Sequence, residues 1–68
     1  MNQKQAIATL KYYASKKREA HASSMNFMPD AHATAEIRDA KRVIDASTKT
    51  RAELVGQETA RQMWREDE

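Results

Sequence analysis

Large apolar side chains are scarce in this sequence, and their scarcity limits the core that the chain can build. Leu, Ile, Val and Phe together account for only 8 of the 68 residues, whereas these four types exceed about a fifth of an ordinary globular domain. Alanine supplies 12 of the 27 apolar residues. Residues 1–68 therefore form a single small domain, close to the size at which one core is only just sufficient.

The scarcity of Gly and Pro narrows the fold class. The chain has one Gly and one Pro, which excludes β-sandwiches, Gly-rich phosphate loops and collagen-like chains. Charged residues make up 32% of the chain but nearly cancel to +2, so the high net charge typical of disorder is missing. Because there is no cysteine, there is no disulfide, thiolate zinc site or cysteine nucleophile. The composition favours an all-α protein.

The first half of the chain predicts one amphipathic helix. Residues 3–22 contain neither Gly nor Pro and are rich in Ala, Lys, Glu and Gln, which are good helix formers. Ile7, Leu10 and Ala14 recur at i, i+3 and i+7 and form an apolar stripe. The helix must end before Pro29. The linker carries three large apolar residues, which we expect to fold back over the core or to form a binding surface: Met25, Phe27 and Met28.

The second half permits two architectures. Apolar residues at 33, 37, 40 and 44 predict a helix that begins near residue 30. It either continues to about residue 65, a length of about 54 Å, or breaks near residues 47–50 and restarts at Thr50, where residues 50–53 match a capping box. No Gly or Pro lies at that break, so the pattern slightly favours the long helix. The prediction is an antiparallel helical hairpin, with a three-helix bundle as the alternative.

A long second helix would leave part of its apolar face uncovered, because the first helix spans only about 30 Å. The seven Ile, Leu and Val residues contribute roughly 10–20 kcal/mol when buried, and ordering the chain costs several times more. We therefore expect a homo-oligomer or a protein partner to complete the core. Trp64 is the most informative residue, because Trp is common at interface hot spots. The expected interface residues are Leu54, Val55, Met63, Trp64, Phe27 and Met28.

Basic residues are concentrated in the first helix. Residues 1–28 carry five basic side chains and one acidic side chain. Lys4, Lys11 and Arg18 are seven residues apart and form a line, which Tyr12 and Lys16 flank. This line predicts either a surface for the phosphates of a nucleotide or nucleic acid or a solvated face whose cations pair with acidic residues. The second interpretation is favoured, because no nucleic-acid-binding motif accompanies the five cations.

The sequence gives little indication of catalysis or metal binding. His32 and Glu36 lie four residues apart, with His21 across the linker, and such a trio can bind a metal. With two histidines and no cysteine, we expect neither a metal nor another cofactor. No serine stands in a nucleophile-elbow context. Acidic and basic residues are interspersed along residues 38–61, as on an exposed helix. We therefore expect a protein that is not an enzyme.

The expected function is binding. Residues 1–10 lack the continuous apolar stretch of a secretory signal, and no segment approaches the roughly 18 apolar residues of a membrane span. We therefore expect a cytoplasmic protein with no membrane contact. Small, charge-rich helical proteins without cysteine are common products of phages and mobile elements, so inhibitor, adaptor or regulator is the first hypothesis, counter-defence included. A binder of nucleotides or nucleic acid is the second, and a structural assembly protein is the third.

Overall fold

The computed structural model describes residues 1–64, and its regular elements over that range are all helices. They are α1 (Gln3–Ala22), α2 (Ala31–Asp45), α3 (Arg51–Val55) and α4 (Gln57–Met63). The predicted all-α class is confirmed. Within the described range, no helix has the length and apolar character needed to cross a membrane.

Hydrogen bonds at both ends fix the bounds of α1, which match the predicted range of 3–22. The side chain of Asn2 accepts from the Gln5 amide at 2.8 Å, and the side chain of Gln5 accepts from the Asn2 amide at 3.0 Å. These two bonds form a capping box. At the other end, the amides of Ser24 and Met25 donate to the carbonyls of His21 and Ala20. This is a Schellman arrangement, and it requires Ser24 to adopt a positive φ of 57°. The helix therefore ends well before Pro29.

The second helix begins as predicted and ends early. Asp30 caps α2, and its side chain accepts from the Ala33 amide at 2.8 Å. The helix ends at Asp45, so the favoured prediction of a helix continuing to about residue 65 is wrong. Ser47 accepts from the Lys49 amide at 3.2 Å, a local turn that competes with helix. Thr50 then caps α3 by accepting from the Glu53 amide at 3.1 Å, at the position predicted for a restart.

A second break, which the sequence reasoning did not predict, lies at Gly56. This residue has φ 91° and ψ 153°, a backbone conformation that residues other than glycine rarely adopt. It separates α3 from α4 and changes the direction of the chain, so that α4 packs against α1. Two short helices therefore replace the second half of the expected long helix.

Both short helices contribute to one core. Val55 and Met63 are only 2% and 7% exposed, and Leu54 packs against the same cluster. The expectation that these residues lie uncovered at the end of a long helix is therefore wrong, because the two breaks return them to the first two helices. Three of the seven core residues are alanines, which allow helices to approach closely. The buried cluster consists of Ala6, Leu10, Ala14, Ala40, Ile44, Val55 and Met63.

Candidate functional site

An open groove of about 670 Å³ lies along α2 and ends against Trp64. Most of its lining comes from one face of α2, at positions 34, 37, 38, 41, 42 and 45. Residues three and four apart on a helix are neighbours on its surface, so this spacing gathers them along one wall. Arg51 of α3 and Trp64, which follows α4, complete the lining. We call this feature the Trp64 groove.

The Trp64 groove is strongly basic. Four cations line it, namely Arg38, Lys41, Arg42 and Arg51, against one carboxylate, that of Asp45. Asp45 is engaged by Arg51, whose Nε and Nη2 lie 2.7 Å and 3.3 Å from its two carboxylate oxygens. Within residues 1–64, the exposed side chains of Arg38 and Arg42 form no ion pair or hydrogen bond. The groove therefore carries two exposed cations that have no partner within that range.

Trp64 contacts residues of the helix that it follows and of the two preceding helices. Its amide donates to the Ala60 carbonyl at 2.9 Å, and it directly follows the buried Met63. The Nζ atom of Lys41 lies 5.4 Å from the indole centroid, and the Cζ atom of Arg51 lies 4.8 Å from it. Both distances suit cation–π contacts. The half-buried indole is thus a fixed wall of the groove, although the sequence predicted it as an uncovered anchor.

The other residues predicted at an interface separate into two groups. Leu54, Val55 and Met63 belong to the core or pack against it, so little of their surface is left for another molecule. In the linker, Phe27 is half-buried, and its ring centroid lies 6.5 Å from that of Tyr13. Met28 is 83% exposed. Met25 is also exposed, so the expectation that the linker folds over the core is wrong for both methionines, whereas Phe27 contacts Tyr13, which itself packs against the core.

The basic line on α1 does not form part of the groove lining. Its members Lys4, Lys11 and Arg18 and the flanking Lys16 are all exposed. Arg18 pairs with Glu58 of α4 through a 3.1 Å contact, as the solvated-face interpretation predicts for a cation opposite an acidic residue. Lys16 Nζ lies 5.5 Å from the ring centroid of Tyr12.

A polar cluster joins α1 to the start of α2. Glu36 Oε1 lies 2.8 Å from His32 Nε2 and accepts from the Tyr13 hydroxyl at 3.4 Å. Burial and the negative charge of Glu36 raise the pKa of Tyr13 above its ordinary value. His21 is exposed at the end of α1. Within residues 1–64, no group of three or more His, Asp or Glu side chains is arranged to hold a metal ion.

Sequence reasoning missed the cations on α2. Arg38, Lys41 and Arg42 were interpreted as ordinary charges on an exposed helix, alternating with acidic residues. Their spacing places all three on the face that carries Ile37, and this was the available signal. No protein-family model, curated protein or solved structure matches this chain. The function is therefore inferred from the residues of the site.

Proposed function

We propose that this protein is a non-enzymatic, cytoplasmic binding protein that occupies a surface of a macromolecular target and acts as an inhibitor, adaptor or regulator. The observation that supports this proposal is the Trp64 groove, which is lined by a half-buried indole and by Arg38 and Arg42, two cations without a partner in residues 1–64. Trp and Arg are the residue types most enriched at interface hot spots. A held aromatic ring also loses little conformational freedom when a partner binds.

The polar groups of the groove favour binding over catalysis. Asp45 is its one carboxylate and is engaged by Arg51, which leaves it poorly suited to remove a proton from a substrate. The remaining polar side chains are cations and the Thr34 hydroxyl. Cations that are permanently charged hold and orient anionic groups.

Affinity capture with matched charge reversals tests this proposal. The tagged chain is exposed to nuclease-treated lysate of the organism that encodes it, and retained proteins are identified by mass spectrometry. The groove variant carries Arg38→Glu and Arg42→Glu. The control variant carries Lys4→Glu and Lys11→Glu, an equal change in charge at exposed positions of α1. We expect a target that the wild type and the control retain and the groove variant loses. Equal retention by all three proteins would contradict the proposal.

A phosphate binder on α1 is the second candidate. It is favoured by Tyr12, which is 56% exposed and lies beside Lys16, since exposed aromatic rings next to cations suit nucleic-acid bases and phosphates. The pairing of Arg18 with Glu58 weakens it. Binding of labelled single-stranded DNA to the same variants distinguishes the two candidates. Loss of this binding from the Lys4→Glu, Lys11→Glu variant, together with its retention by the groove variant, would favour the phosphate binder.

Self-association is a separate proposal about state. We expected an oligomer because a long second helix would leave apolar residues uncovered. That reason does not hold for Val55 and Met63, which are buried within one chain. The surface left for a second copy is the exposed part of the linker, where Met28 is 83% exposed. Light scattering tests it, because an oligomer would exceed the 7.8 kDa of one chain. Met28→Ser should then reduce the measured mass, and a chain that is monomeric at all concentrations would exclude this proposal.

A further inference from the structure

We propose that the Trp64 groove binds an acidic, extended peptide segment of its target. This inference rests on the proposed function and names the chemistry of its partner. Four cations and one carboxylate line the groove, and that carboxylate is already paired with Arg51. The charge left for a ligand is therefore positive and is carried mainly by Arg38, Lys41 and Arg42. A carboxylate is a good match, since the planar guanidinium group binds carboxylates through two parallel hydrogen bonds.

The spacing of Arg38 and Arg42 indicates a spacing for the acidic groups of the ligand. Arg38 and Arg42 are four residues apart on α2, which corresponds to a rise of about 6 Å along the helix. In an extended peptide, side chains on the same face are two residues apart, or about 6.6 Å. Acidic residues at alternate positions therefore match the two arginines. A helix would match them with acidic residues four apart, but an extended segment can present its backbone and alternate side chains along the one helix that supplies most of the lining.

The groove also offers apolar surface. Ile37, Ala46 and the half-buried Trp64 line it together with the cations. An acidic segment without an apolar side chain would leave this surface in contact with water, whereas one large apolar residue beside the acidic pair would cover it. The preferred ligand is thus a short segment with two alternate Asp or Glu residues and a large apolar residue next to them.

Two observations favour a peptide over nucleic acid. Binding of a single strand commonly uses open aromatic faces on which bases stack, but the Trp64 ring is already in contact with Lys41 and Arg51. A nucleic acid also follows an extended track of cations, and none of the basic residues of α1 lines this groove.

The test uses a synthetic peptide with two Glu residues at alternate positions followed by Leu and Phe, added to the full isotope-labelled chain. We expect the amide signals of residues 34–46 and the Trp64 indole signal to shift in nuclear magnetic resonance spectra. A peptide with Gln in place of both Glu residues should bind about tenfold more weakly, because it cannot form charge-assisted hydrogen bonds with the two guanidinium groups. Arg38→Gln with Arg42→Gln should produce a similar loss, and Lys4→Gln with Lys11→Gln should not.

Several outcomes would overturn the inference. These are an absence of shifts, equal binding of the Glu and Gln peptides, or tighter binding of single-stranded DNA at the same signals. Binding that appears only after removal of residues 65–68 would assign the groove to the chain's own acidic end. If the groove variant loses its target in capture while the peptide fails to bind, the proposed function stands and this inference fails. If the peptide binds as expected but no target is captured, the proposed function fails and the ligand chemistry is supported.

Discussion

Replacing Gly56 with alanine tests the architecture of the second half of the chain. Gly56 has φ 91°, and an added Cβ would meet no atom within 4 Å. The cost of the substitution therefore comes from the backbone alone, and residues held in such regions cost about 1–3 kcal/mol. A domain of this size has a total free energy of unfolding of roughly 3–10 kcal/mol. Gly56→Ala should remove a substantial part of it.

The opposite sign is expected if the break at Gly56 does not exist. In a continuous helix, Ala is more favourable than Gly by about 1 kcal/mol, so the same substitution would stabilise the protein. Urea unfolding followed by far-ultraviolet circular dichroism distinguishes the two cases. With a denaturant slope near 1 kcal/mol/M, the midpoint should fall by about 1–3 M. An unchanged or higher midpoint would refute the structure at this position.

Ser24→Gly provides the matched control, because it reverses the chemistry at the other positive φ. Ser24 has φ 57°, a conformation that costs a residue with a side chain about 1–2 kcal/mol. Glycine removes this cost, but it also gives the unfolded chain more conformational freedom, which reduces the gain in stability by roughly 0.4–1 kcal/mol. The midpoint should therefore stay the same or rise slightly, in contrast with the fall at Gly56.

Three further predictions concern packing, capping and pH. Leu10 is fully buried, so Leu10→Ala should lower the free energy of unfolding by about 2–5 kcal/mol in urea titrations. Lys17 Nζ donates to the Gln62 carbonyl near the end of α4 at 2.6 Å, so Lys17→Met should cost about 1 kcal/mol, whereas Lys11→Met at an exposed position should have little effect. Burial and Glu36 raise the pKa of Tyr13 in the folded state above its ordinary value of about 10. The unfolded chain therefore loses this proton first, and the stability that Tyr13 contributes is present below pH 10 and is lost as pH rises through the folded-state pKa. Tyr13→Phe should reduce this alkaline loss, as measured by unfolding at several pH values, and an unchanged pH dependence would contradict the assignment.

The first helix, the start of the second and the start of α3, which was given as the alternative to a longer second helix, had signals in the sequence because local contacts determine them. The apolar spacing of Leu10 and Ala14, the cap at Asp30 and the restart at Thr50 all involve residues within one or two turns of each other. The end of α2 was harder to predict, because the turn at Ser47 uses neither Gly nor Pro. The break at Gly56 had a signal in the single glycine of the chain, and the sequence reasoning gave that glycine no role.

The Trp64 groove could not be predicted in the same way, because it depends on contacts that are distant in sequence. Arg38 and Arg42 alone are typical of a solvated helix face. They line a groove only because the chain changes direction after α2 and again at Gly56, which places Trp64 beside Lys41. Helical spacing identifies residues that share a face, but it does not show which other segment will lie against that face.

Closure of the core within one chain changes what a partner would contribute. A partner that completed a core would be required for folding, and every variant that weakened binding would also weaken the fold. Here Val55 and Met63 are already covered, and the exposed Arg38 and Arg42 have no partner in residues 1–64 to lose. Substituting these arginines should therefore change unfolding by no more than about 0.5 kcal/mol while reducing binding. Trp64 belongs to both the groove and the packing around the core, so Trp64→Ala would change stability and binding together. The arginine pair is for this reason the sharper test of function.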